Sequence, residues 1–273
     1  IAIRMYKFFV DHKITIKLPD MVPPAIANSF TDLIPMFSIL GLGWLLKTVL
    51  GFDITNTVSK LLSPLVKGTD SYIGALFNAL GSGIFWSVGI HWENMIGGVL
   101  TPLTATYLPE NQAAVAAGVA LTDLPHIWCG NFTMNSRACT NYPMLILLLL
   151  SKVPGFRELG IAATIPVLFC ICEPLTFGVP VVMNPYMMIP LILSNFAYVT
   201  IDWIAYSLKL VNRMAFAAPW AAPISINQYI SSGGDWRHIV LMLVLLAVGM
   251  LIYTPFFKAY EKATLAKLTE EAE

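Results

Sequence analysis

The chain has 273 residues, of which 57% are hydrophobic and only 12% charged, with 16 basic and 16 acidic side chains and a mean hydropathy of +0.71. A soluble domain carries about 25% charged residues, so a water-soluble surface is excluded and the composition is that of an integral membrane protein. A neutral balance offers no basic face for nucleic acid, and Cys129, Cys139, Cys170 and Cys172 lack both zinc-site spacing and the density of a disulfide scaffold.

The opening stretch IAIRMYKFFVDHKITIKLPD alternates apolar and charged residues, which predicts a polar strand or hairpin. Such a start on Ile1, without a cleavable signal pattern, predicts a partial chain lacking earlier membrane spans. A bilayer core of about 30 Å takes roughly 20 apolar residues per helix. Candidate windows lie near 30–51, 72–103, 112–128, 143–151 with its neighbours, 160–183, 186–208 and 238–257. Between the first two, residues 53–70 form an amphipathic linker, with Ile54, Val58, Leu61, Leu62 and Leu65 on one side. Residues 1–52 then hold the hairpin and one span, 71–258 the main membrane domain, and 259–273 a polar tail. Basic residues at both ends (Arg4, Lys7, Lys13 and Lys17; Lys258, Lys262 and Lys267) place both termini in the cytoplasm.

Residues 160–190 contain Pro166, Pro174, Pro180, Pro185 and Pro190, more than a continuous helix tolerates. Broken backbone at membrane depth survives where protein or a wet cavity satisfies the freed polar groups. Residues 126–142 and 160–185 are therefore predicted as two re-entrant hairpins. The fold class is an all-α integral membrane protein, a multi-span helical bundle.

Glu173 is the sole ionisable group from Phe169 to Pro190. A carboxylate in hydrocarbon costs several kcal/mol, so it must face a polar cavity or a partner. His91 sits in FWSVGIHWENM between Trp86 and Trp92, with Glu93 close by. Rings beside polar groups suit a sugar, whose apolar face stacks while its hydroxyls hydrogen-bond; the bland alternative for the two tryptophans is an interfacial aromatic belt. The stretch LPHIWCGNFTMNSRACTN adds His126, Asn131 and Asn141, and Trp220 stands between prolines in AAPWAAPIS. There is no G-x-x-x-x-G-K-[ST] phosphate loop, no H-E-x-x-H and no G-x-S-x-G, and nothing calls for a cofactor or a metal.

The run ICEPLTFGVPVVMNPYMMIP resembles the signature of the membrane (IIC) component of bacterial sugar phosphotransferase systems, in the lactose, cellobiose and diacetylchitobiose branch, typically N-E-P-(I/V)-x-F-G-x-P-(I/V)-V-x-N-P. ITIKLPDMVPPAIANSF, FWSVGIHWENM and PWAAPISINQYISSGGDWRHIVL are similar to the same branch, in the right order. The resemblance implies a homodimer of ten-span subunits in the bacterial cell membrane that binds a β-linked disaccharide and carries it inward. It further implies that the 6-hydroxyl then takes a phosphoryl group from a phosphocysteine on a separate IIB protein or domain. Carried over, Glu173 and His91 hydrogen-bond the sugar near that hydroxyl, and Trp220 and Trp86 are pocket aromatics. Asn131 and Asn141 fall where the first hairpin gives polar contacts. Cys172 stands where asparagine is usual, Trp92 where glycine is usual, and Glu93 and Asn94 also depart from the pattern, so a narrower or more aromatic site with an altered sugar preference is expected. A proton-coupled secondary sugar transporter, a truncated non-transporting subunit and an intramembrane hydrolase are the competing readings; the last lacks a nucleophile–base pair.

Overall fold

The computed structural model describes residues 2–12, 14, 16, 33–49, 51, 68–95, 100, 105–129, 132–179 and 181–270, with the backbone alone at 132–140 and 224. It divides into two compact units, residues 1–61 and 62–273. The division falls within the predicted linker, of which residues 53–67 lie outside the described part.

In the first unit, α1 spans Ala2–Asp11 and α2 spans Leu33–Trp44, running on into a π-helical turn at Leu45–Val49. The predicted N-terminal strand or hairpin is thus corrected to a helix over Ala2–Asp11. Its charges, Arg4, Lys7 and Asp11, recur at three- and four-residue spacing, and Met5 and Phe9, four apart, are its less exposed side chains. A helix of this period mimics alternation over a short window.

The second unit is a bundle of α3 (Tyr72–Ser87), α4 (Tyr107–Ala116), α5 (Phe132–Leu150), α6 (Phe156–Leu168), α7 (Glu173–Gly178), α8 (Pro185–Ser207), α9 (Ile224–Ser231) and α10 (Arg237–Glu270). Among the described residues there is no strand. Among the described residues two helices, α8 and α10, are long and apolar enough to cross a bilayer. The bundle buries polar side chains among its apolar core and also turns large apolar side chains outward. Ser194 and Asp202 are fully buried, whereas Ile73, Leu150 and Leu251 are 76%, 72% and 77% exposed. That arrangement suits hydrocarbon solvent, where leucine gains nothing by hiding and polar groups must find each other.

Small residues set the packing. Helix α3 starts at Ser71, whose hydroxyl accepts from the Gly74 amide at 3.1 Å. It buries Ala75, Asn78, Ala79, Gly81 and Ser82 while turning Ile73, Phe77 and Ile84 outward. Helix α8 begins with Asn184 capping the Tyr186 amide at 3.0 Å and Pro185 in the first turn, where a missing N–H costs nothing. Helix α10 buries Leu241, Leu245, Gly249, Tyr253 and Phe257, one every four residues.

Two predicted spans end early. The 72–103 window stops being one helix at Ser87, with a left-handed turn at Gly89. The 112–128 window is no span: α4 ends at Ala116, Gly118 has φ +84, and 119–129 is non-helical. That loop is held by polar contacts instead. The Asp70 carboxylate accepts from the Trp128 amide at 2.8 Å and pairs with His126 Nδ1 at 2.9 Å, while His126 Nε2 meets Glu110 at 2.6 Å. Asn111 donates to the carbonyls of His126 and Met214, and the Arg213 amide donates to the Leu121 carbonyl.

The predicted first hairpin, 126–142, is seen only as loop residues 126–129 and, from 132, as the start of α5. The second region, 160–185, is α6, a turn, α7 and a connection into α8; the break falls between Leu168 and Glu173, while Pro166 sits inside α6.

A cavity lined by the candidate residues

Glu173 is the first residue of α7, directly after a turn in which Cys170 takes φ +64. A non-glycine residue in this region is strained. The turn is fixed on both sides, since the Cys170 thiol donates to the Ala222 carbonyl at 3.5 Å and the Ile171 amide to the Pro166 carbonyl at 2.9 Å. Ala222 belongs to the loop that carries Trp220. Farther on, the Met183 amide donates to the Ser87 carbonyl at 2.8 Å, tying the segment after α7 to the end of α3, where the His91 stretch begins. Three separate parts of the sequence therefore converge on one space.

That space is a cavity of about 290 Å³. Helix α3 and the turn after it contribute Ser82, Trp86, His91 and Glu93. Helix α5 supplies Asn141 and Met144, the broken segment Cys170, Cys172, Glu173 and Thr176, helix α8 Met187, Leu191 and Asn195, and helix α10 Tyr253. Trp220 closes the wall and is 62% exposed. Of the predicted site residues, Glu173, His91, Trp86, Trp220 and Asn141 line this one cavity. Asn131 lies outside the described residues.

Its chemistry is mixed in the way a carbohydrate requires: two carboxylates, an imidazole, two amides, three hydroxyls and two indoles set into an apolar wall. Among the described residues the Glu173 carboxylate takes no hydrogen bond or ion pair, so its oxygens are available as acceptors. Asn195 donates from Nδ2 to the Leu191 carbonyl at 3.0 Å, while its Oδ1 has no partner among the described residues and the side chain is 2% exposed. The Trp86 indole N–H is engaged by Glu93 at 3.1 Å, and the Trp86 ring lies against His91 with centroids 4.6 Å apart. Trp86 thus offers a ring face rather than a donor.

Trp92 overturns one expectation. It does not narrow the site: it is 2% exposed, turned away from the cavity, with Nε1–H donating to Asn78 Oδ1 at 2.7 Å. Its indole fills the notch left by Gly81, where a Cβ would lie 2.5 Å from the ring. Burial also removes Trp92 from the aromatic-belt alternative. Sequence reasoning missed Ser82, Asn195 and Tyr253 as lining residues. Asn195, an amide inside the apolar run LILSNFAYV, carried a legible signal, because intramembrane polar residues face interiors.

Outside the bundle's interior, Asp235 caps the entry to α10. Burial pushes its carboxyl up, but hydrogen bonds from the Arg237 side chain and from the Asn212 and Arg237 amides outweigh this and hold it below the ordinary value.

Comparison with known proteins matches this picture. The family profile described as "Phosphotransferase system, EIIC" covers residues 1–194. The lichenan permease IIC component of Bacillus subtilis (strain 168) is 31% identical over 282 residues, covering 99% of this chain and 61% of that protein. The lactose-specific EIICB component of Staphylococcus haemolyticus (strain JCSC1435) is 29% identical over 271 residues, covering 97% and 46%. Among solved structures, the transporter ChbC, the IIC component from the N,N'-diacetylchitobiose-specific phosphotransferase system, matches with a TM-score of 0.73 and 31% identity, over 98% of this chain and 64% of that one. The chain spans about 61% of the length of the lichenan permease and less than half of the lactose component. A family match over most of the chain, the helical bundle and the carboxylate-bearing cavity agree: the chain belongs to the EIIC family of the phosphotransferase system.

Proposed function

We propose that the protein is the sugar-translocating component of a phosphotransferase system, binding a β-linked disaccharide of the cellobiose, lactose or diacetylchitobiose type in the bacterial cell membrane. The observation that carries this is the meeting of Glu173, His91, Asn141, Trp86 and Trp220 around one cavity. The sugar names of the relatives, lichenan, lactose and diacetylchitobiose, point to the same substrate class. Family membership favours phosphoryl coupling over the proton-coupled alternative.

In this reading the sugar rings lie against Trp220 and Trp86, where apolar C–H faces meet indoles. Glu173 accepts from the sugar's 6-hydroxyl and holds it for in-line attack on the phosphorus of a IIB phosphocysteine. The oxygen–phosphorus bond forms as the phosphorus–sulfur bond breaks, the thiolate leaves, and the hydroxyl proton passes to the Glu173 carboxylate or to water. The EIICB relative, which carries B alongside C, supports a IIB partner. The protein works as a homodimer in lipid, with both ends cytoplasmic and with 126–142 and 160–185 as re-entrant hairpins whose break at Cys170–Glu173 puts polar backbone beside the substrate.

Proteoliposomes carrying the protein, supplied with phosphorylated IIB on the inner side, test this reading. Cellobiose, lactose or diacetylchitobiose should appear inside as the 6-phosphate, and only with IIB present. Delivery of free sugar driven by a proton gradient, or no uptake of any of the three, would overturn it.

A further inference from the structure

Trp220 is 62% exposed, so its ring is held less by packing than by the backbone that carries it. That backbone is the loop P-W-A-A-P, residues 219–223, whose two prolines have no N–H to offer. The loop is fastened through its carbonyls instead. The Pro219 carbonyl accepts twice, from the Ala222 amide at 3.0 Å and from Asn227 Nδ2–H at 2.6 Å, which occupies both of its lone pairs. The Ala222 carbonyl accepts from the Cys170 thiol at 3.5 Å, and the Pro223 carbonyl from the Asn227 amide at 2.9 Å.

The Pro219 oxygen governs Trp220 most directly, because it lies in the same peptide plane as the Trp220 nitrogen and Cα. The Ala222 bond closes the turn within the loop and moves with it. The Asn227 bond ties that turn to α9. Helix α9 is a fixed base: it packs against α5 and α10, and its Ser231 carbonyl accepts from the Ala215 and Phe216 amides at 2.9 and 3.1 Å. Asn227 is fully buried and stands outside the cavity wall, and its Oδ1 has no partner among the described residues. A buried amide with a bare oxygen is costly, and leucine would fill the same space without that cost. What the carboxamide contributes is its donor rather than its bulk.

We propose that Asn227 is a positioning residue that presets Trp220 at the cavity wall. Its Nδ2–H holds the Pro219 carbonyl, so the indole stands ready for the apolar face of a sugar ring before the sugar arrives. This rests on the reading of the cavity as the disaccharide site. An aromatic ordered in advance spares its ordering cost at binding. Asn227→Leu separates donor from bulk: it keeps the shape, removes the donor and the bare oxygen together, and leaves the Pro219 carbonyl its bond from Ala222.

The test uses the purified protein in lipid nanodiscs, with cellobiose, lactose and diacetylchitobiose titrated by calorimetry. Fluorine spectra of 5-fluorotryptophan-labelled protein complete it, the Trp220 and Trp92 signals being assigned by their loss in Trp220→Phe and Trp92→Phe. Asn227→Leu should melt at or above the wild-type temperature yet bind sugar about twofold to tenfold more weakly, the cost of ordering one side chain on binding. Its Trp220 signal should move while that of Trp92 stays. The double variant Trp220→Ala/Asn227→Leu should bind no more weakly than Trp220→Ala alone. Asn227→Ala, which removes the donor without asking leucine's branches to fit, should move the Trp220 signal as well. An unmoved Trp220 signal in both variants, wild-type affinity in Asn227→Leu where Trp220→Ala binds weakly, or losses that add in the double variant would overturn the proposal. Should Trp220→Ala bind sugar as tightly as wild type, or wild type bind none of the three, the sugar-site reading falls instead, and the fluorine spectra still decide whether Asn227 sets Trp220.

Discussion

Gly249→Ala is the sharpest mechanical probe of the bundle. A Cβ at position 249 would lie 1.7 Å from the Tyr198 hydroxyl oxygen, 2.6 Å from Pro143 Cγ and 3.0 Å from Tyr198 Cζ. Neither neighbour has room to retreat: Tyr198 is fully buried and Pro143 is inside helix α5, its ring locked to the backbone. The three helices must separate locally, and overpacking of this kind costs about 1–3 kcal/mol. At about 2–4 °C per kcal/mol for a chain of this size, the melting temperature falls by roughly 2–12 °C. Function should suffer as well, because each contact lies near a cavity residue: Pro143 beside Asn141 and Met144, Tyr198 one turn from Asn195, Gly249 one turn from Tyr253. Thermal melts and cellobiose titration of Gly249→Ala, Tyr198→Phe and the double variant make up the assay. Removing the hydroxyl takes away the worst clash, so the alanine should cost less in the Tyr198→Phe background. Equal melting of Gly249→Ala and wild type, or a loss that Tyr198→Phe does not reduce, would refute the close approach.

Trp92→Ala empties the Gly81 notch and strands the Asn78 carbonyl, a loss of about 3–5 kcal/mol seen as a lower melting temperature, with sugar affinity falling because His91 and Glu93 flank the lost anchor; Trp92→Phe should recover part of both. Asp235 sets a pH dependence. Its folded carboxyl titrates below the unfolded value of about 3.9, so its stabilisation is complete above that value and fades as pH falls through it toward the folded one. Asp235→Asn should therefore melt below wild type at neutral pH, and the gap should close as the buffer is taken below about pH 4.

Much of the site was legible because the bilayer punishes isolated polar groups. Glu173 stood out as a lone carboxylate among prolines, and His91, Trp86, Trp220 and Asn141 followed from polar or aromatic residues in apolar context. What escaped were residues defined by three-dimensional neighbours. Trp92 reads in sequence as bulk beside His91, and only the notch at Gly81, eleven residues earlier, sends it away from the cavity. Tyr253 reads as one more apolar residue of the last helix, yet the four-residue spacing through Gly249 puts it on the inner face. The N-terminal strand failed because the ten residues Ala2–Asp11 fit either period, and the 112–128 span failed because apolar content outweighed Gly118, Asp123 and Pro125 as breakers. Residues 160–185 were read correctly as broken, although Pro166 and Pro190 sit inside α6 and α8, so the break lies between Leu168 and Glu173 rather than at every proline.

The central claim is that Glu173 holds a sugar hydroxyl. Its most direct test is calorimetric titration of cellobiose, lactose and diacetylchitobiose into the wild-type protein and Glu173→Gln, both in nanodiscs. Glutamine keeps the shape and removes the charge, so at least one sugar that binds the wild type should bind the variant about tenfold to hundredfold more weakly, or not at all, with the melting temperature unchanged. Binding of that sugar to Glu173→Gln with wild-type affinity would contradict the account.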